Sequence, residues 1–169
     1  MMKNILLLLI VVCSCKNEQP KIKTNEILKF EFKEKLLVLN NSHKIGDVRR
    51  YGIFPDSITT NTTHPVTKKS KISTILDMAE RTGIELFFPK GYYAMALVLD
   101  GRENISIRFN MAEFDVIHIT QDKSPEKRAK NVTLKGSMIV YDRLGITEAR
   151  NVQIDTVYIK SDTTKNMRS

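Results

Sequence analysis

Asn104-Ile105-Ser106-Ile107, Asn131-Val132-Thr133-Leu134 and Asn151-Val152-Gln153-Ile154 repeat one pattern in the later part of the chain. Residues two apart on a strand share a face, so each segment reads as a short strand with one apolar side. The leading Asn residues are spaced by 27 and then 20 positions. Recurrence on that scale marks a stacked repeat, in which no turn buries its apolar face alone and each must pack on the next. The pattern therefore predicts a mainly β fold, a short parallel solenoid. The Asn residues have two readings. Their amides stack as a ladder inside successive turns, or each Asn merely starts a turn.

The chain opens Met1-Met2-Lys3-Asn4 and runs apolar from Ile5 to Val12. One Lys before a short apolar stretch has the form of an export signal, and a membrane-spanning helix would need about 20 apolar residues. Val12-Cys13-Ser14-Cys15 resembles the bacterial lipobox, which implies lipidation of Cys15 as the first mature residue. The other reading of Cys13 and Cys15 is a pair of inconsequential thiols or a strained bridge. Two or more acyl chains anchor a protein stably, so the resemblance implies a membrane-tethered lipoprotein that folds in water. Lys16-Asn17-Glu18-Gln19 is loosely similar to the surface-export tag of Bacteroidetes lipoproteins. Asp56-Ser57-Ile58, Asp155-Thr156-Val157 and Asp162-Thr163-Thr164 resemble the O-glycosylation motif of that phylum. These imply an outer-membrane location, on the periplasmic or the cell-surface face.

The expected organisation is a signal over 1–14, a polar tether over 15–25, N-terminal strands over 26–47 and a β-helix domain over 48–169. Leu28, Phe30 and Phe32 alternate with charged residues as in a half-buried strand, and Leu36-Leu37-Val38-Leu39 reads as a short buried one. Ile72, Ile75, Leu76 and Ala79 form one helical stripe, and Gly83 stands where a left-handed stop belongs. Strands are expected over 84–88, 96–99, 105–109, 114–119, 132–134, 138–141, 152–154 and 157–159, with a charged loop over 121–130.

The order Asp47-Val48-Arg49-Arg50-Tyr51-Gly52, Asp56, Thr59-Thr60-Asn61-Thr62, amphipathic helix, Gly83, strand and Phe88-Pro89-Lys90-Gly91-Tyr92 resembles the opening segment of the pectate-lyase-like superfamily. The resemblance runs from about Val48 to Ile159. It implies a right-handed parallel β-helix whose N-terminal helix covers the open end of the coil stack, where a bare strand would template aggregation. Pro55-Asp56, Thr60-Asn61, His64 and Pro65 depart from the family pattern.

Chemistry is harder to read. His43, His64 and His118 lack ligand-spaced partners, and no phosphate loop or nucleophile elbow occurs. His118 reads as a surface residue able to flank Asp115. The formal net charge of +8 becomes +7 without Lys3. Outside the inner membrane, acidic polysaccharide or anionic headgroups are the expected partners rather than nucleic acid, or the charge simply keeps the surface soluble.

Aligning the Asn-led segments puts Arg108, Lys135 and Asp155 in one outward column, and adjacent coils stack about 4.8 Å apart. One acid among two bases suits binding an anionic sugar better than hydrolysis by two carboxylates. The resemblance implies a lyase with an Arg or Lys base and calcium on the uronate. On that basis Lys135 and Asp155 are the candidate catalytic residues, and Arg108, Lys135 and Asp155 the candidate ligand-binding ones. Family enzymes carry more coils than the three seen here. The expectation is thus a fragment or degenerate form of a polysaccharide-degrading enzyme, either a polysaccharide lyase or a glycoside hydrolase if active. The alternative is a non-catalytic binding or envelope-structural lipoprotein.

Overall fold

The computed structural model describes residues 34–57, 62–124 and 126–160. The lipidation candidate Cys15, the tether, the Leu28–Phe32 alternation and the tail from Ser161 lie outside them.

Helix α1 spans Lys71–Thr82. Ser70 caps it by accepting from the Ser73 N–H at 3.2 Å, and Gly83 ends it at φ 71°, its N–H donating to the Ala79 carbonyl. Ile72, Ile75, Leu76 and Ala79 are buried, as the 3.6-residue stripe requires. Its polar side grips the sheet: Glu80 accepts from the Glu103 N–H at 2.8 Å and from Arg102 at 3.0 Å.

A 3-10 turn at Val48–Tyr51 and loops precede α1, and a parallel sheet follows it. Short strands β1 (Leu86–Phe88), β2 (Gly91–Tyr93) and β3 (Leu97–Val98) pair in succession along one edge of β4 (Glu103–Ile119). β4 pairs with β5 (Lys130–Ile146), and β5 with β6 (Arg150–Ile159), again parallel. The register aligns Ile105 with Val132 and Val132 with Val152, as the Asn-led alignment anticipated.

The strands expected over 105–109 and 114–119 are parts of one strand. Met111, at φ 51°, turns the chain there while the ladder shifts register between Asn110 and Ala112. β5 turns earlier in the register, at Gly136 opposite Phe109, with φ 78° and a position where a Cβ would lie 2.2 Å from the Phe109 carbonyl oxygen. Only glycine fits there.

The inward residues Ile105, Ile107, Val132, Leu134, Met138 and Val140 are buried. An aromatic cluster fills the centre, with Phe88 stacked on Phe109 at 5.6 Å and edge-on to Tyr93 at 5.1 Å and Phe114 at 5.4 Å. The stretch 36–39 is not a buried strand. Residues 34–37 form a helical turn and the bend after it, leaving Leu36 50% and Leu39 43% exposed. Side chains dictate this: the buried Glu34 carboxylate accepts from Arg50 at 2.7 Å and Tyr51 at 3.0 Å, and buried His64 pairs through Nε2 with the Leu37 carbonyl.

Asn104, Asn131 and Asn151 all adopt φ between 51° and 55°. Asn131 Nδ2 donates to Asn104 Oδ1, and Asn151 Nδ2 to Asn131 Oδ1, each at 2.8 Å. The repeated Asn therefore does more than start a turn: it opens each strand in a left-handed conformation that Asn tolerates, and its amide joins a ladder. The ladder runs along the surface rather than through the interior, since Asn104 and Asn151 are exposed.

Candidate anion-binding site

Arg108 and Lys135 stand opposite one another on β4 and β5, as the alignment placed them. Both already have a partner that sequence spacing did not reveal. Glu85, just before β1, accepts from Arg108 Nε at 2.9 Å, from Lys135 Nζ at 2.6 Å and from Ser106 Oγ at 3.0 Å. The Lys135 hydrogen bond, with that from Arg108, outweighs burial and holds the Glu85 carboxyl below the usual glutamate range. Arg108 also lies 4.6 Å over the Phe87 ring. Asp155, on β6, accepts from the Gly136 N–H at 2.8 Å.

This geometry suits a structural clasp. The Lys135 ammonium is occupied by the Glu85 carboxylate rather than facing open space for a substrate. The column does not fit calcium either: Glu85 is committed to two cations and Asp155 to a backbone amide. Among the described residues no three His, Cys, Asp or Glu side chains converge to hold a metal ion.

A different group of charges is open. One residue before each Asn, the register stacks Glu103, Lys130 and Arg150. With Arg128 and Glu126 from the preceding loop they line a cleft of about 340 Å³. Arg128 is tied to Glu148 at 3.0 Å. Among the described residues, no carboxylate comes within ion-pair distance of Lys130 or Arg150, and both are exposed. Extending the Asn alignment one residue back would have found them.

The remaining candidates are accounted for structurally. His118 meets Asp100 rather than Asp115, with Nδ1 3.2 Å from Oδ2. Asp115 instead accepts from the Tyr92 hydroxyl at 2.9 Å, and the Tyr141 hydroxyl donates to Glu113. His64 accepts from the Val66 N–H through Nδ1 at 3.2 Å, so both its nitrogens are engaged.

Comparison with protein-family models, with curated proteins and with solved structures returned no match for this chain. The functional reading rests on its own residues.

Proposed function

We propose that this chain is a surface lipoprotein, anchored through Cys15 to the outer membrane, whose short right-handed parallel β-helix binds acidic polysaccharide without cleaving it. In this reading it is a degenerate relative of the pectate-lyase-like enzymes. The β-helix reading is supported by chain length. A straight 17-residue strand would extend about 56 Å. Yet only residues 147–149 separate β5 from its parallel neighbour β6, and Lys130 already pairs with Arg150. Strands that curl back on themselves, one coil per repeat, account for both.

The observation that carries the binding reading is the cleft beside the Asn ladder. Lys130 and Arg150 offer cations on neighbouring strands, about 4.8 Å apart at the backbone. Glu103 and Glu126 in the same cleft are acceptors. A uronic-acid chain presents both carboxylates and hydroxyls, and so matches both kinds of wall better than a simple anion would. The clasp of Lys135 and Arg108 on Glu85 favours binding over elimination.

The test is titration of a polyuronate into the full chain at low and physiological salt. Binding that weakens as salt rises, and that falls about tenfold or more in a Lys130→Glu, Arg150→Glu double variant, is the expected result. Unsaturated products would sink the non-catalytic reading. Binding unchanged by the double variant would remove the cleft from the account.

A further inference from the structure

The turn joining β5 to β6 sets an acid among the cations of the cleft. Lys130 and Arg150 are register partners, and continuing that register two residues back puts Arg128 beside Glu148. Ala129 is buried and Ala149 packs on the core, so by alternation the four charged side chains that flank them leave the sheet on one side. They form a two-by-two array, about 4.8 Å across the strands and about 6.6 Å along them at the backbone. Three corners are cationic and Glu148 fills the fourth.

The acid is held close to one of these cations, but weakly. Glu148 Oε2 lies 3.0 Å from Arg128 Nη2, with Arg128 39% and Glu148 50% exposed. Neither main chain depends on the pair. The Thr147 N–H donates to the Ile119 carbonyl at 3.1 Å, the Thr147 hydroxyl to that of Thr120 at 2.9 Å and the Arg150 N–H to the Ala129 carbonyl at 2.8 Å, which fixes the turn around Glu148. Arg128 is held through its own bridge to Gln121 and through the Ala129 N–H on the Thr120 carbonyl. An ion pair this open to water contributes little to stability, so another carboxylate takes its place at small cost.

We propose that Glu148 is an internal counter-anion that sets the affinity of the cleft: it occupies Arg128 in the free protein, and a carboxylate of an acidic polysaccharide displaces it on binding. This rests on the cleft-binding reading above and adds to it how the third cation is engaged. Lys130 and Arg150 meet the ligand first, and Arg128 joins only once Glu148 lets go. The protein therefore binds more weakly than its three cations would allow, and it favours chains whose carboxylates are dense enough to compete with Glu148.

The experiment titrates a polyuronate into the full chain and into its Glu148→Gln variant, which keeps the side-chain size and removes the charge. Asp142→Asn, at an exposed position outside the cleft lining, changes the net charge equally and is the control. Glu148→Gln should bind about two- to fivefold more tightly, and Asp142→Asn like the parent. In the parent, the Glu148 carboxyl carbon resonance should move at saturation toward its position in ligand-free Arg128→Gln, where Arg128 no longer holds it. Equal affinity of Glu148→Gln and parent, a gain matched by Asp142→Asn, or a Glu148 resonance unmoved at saturation would overturn the proposal. Absence of binding to parent and variant alike would overturn the cleft reading with it. Binding lost in the Lys130→Glu, Arg150→Glu double variant but unchanged in Glu148→Gln would overturn the role of Glu148 alone.

Discussion

Asn131 is the middle rung of the ladder, and replacing it separates two effects that usually hide one another. Asn131→Ala removes the bonds to both Asn104 and Asn151 and leaves an alanine at φ 53°. Holding a non-glycine residue in the left-handed region costs about 1–2 kcal/mol, less for Asn. Two part-exposed side-chain hydrogen bonds contribute roughly 1 kcal/mol together, at the low end of the net range. The expected loss is about 2–3 kcal/mol. Asn131→Gly loses the same bonds but relieves the backbone, at about 0.5–1 kcal/mol of unfolded-chain entropy. It should therefore be the milder change, which inverts the usual order of Ala and Gly within a strand. Asn151→Ala forfeits one bond instead of two and should cost less than Asn131→Ala. Urea unfolding with an unchanged slope measures all three. An alanine variant as stable as the glycine variant would refute the backbone strain, and one no more costly than Asn151→Ala would refute the ladder as an energetic element.

Three further outcomes follow from the packing and the clasp. Glu85 titrates below its usual range when folded, so its contribution is fully present above the unfolded value near 4.5 and is lost as pH falls through the folded value. Acid unfolding of Glu85→Gln should accordingly show a shallower loss of stability below about pH 4.5 than the parent; parallel curves would count against the clasp. Phe88→Ala opens the centre of the aromatic cluster and should cost about 3–5 kcal/mol in the same urea assay, and a loss under 1 kcal/mol would mean the cluster is not packed as described. Gly136→Ala should destabilise by several kcal/mol or prevent folding, seen as loss of soluble monomer, because its Cβ meets backbone that cannot yield.

What the sequence disclosed was what depends on local pattern. Helix α1 was readable because its stripe, cap and Gly83 stop agree, and the parallel pairing was readable because Asn recurs with the same alternation behind it. The corner at Met111 was not, since a methionine at positive φ has no compositional signature and its conformation goes with the register shift between Asn110 and Ala112. Leu36–Leu39 was misread because a four-residue apolar run has no period to distinguish strand from turn, and Glu34, Arg50 and His64 decide its path. The same limit applied to the site. Arg108 and Lys135 were correctly aligned, but Glu85 lies 50 residues before Lys135, in a segment with no Asn to mark its place in the sheet. Continuing the β1–β4 register one residue back sets Glu85 beside Ser106, which is how it reaches both bases.

The most direct test of the acidic-polysaccharide reading is amide chemical-shift mapping of the full chain with a uronic-acid oligosaccharide, beside a neutral oligosaccharide of equal length. Saturable shifts centred on Arg128, Lys130 and Arg150, seen with the acidic sugar alone, are what the account requires. Equal shifts with both sugars, shifts on another face or none at all would contradict it.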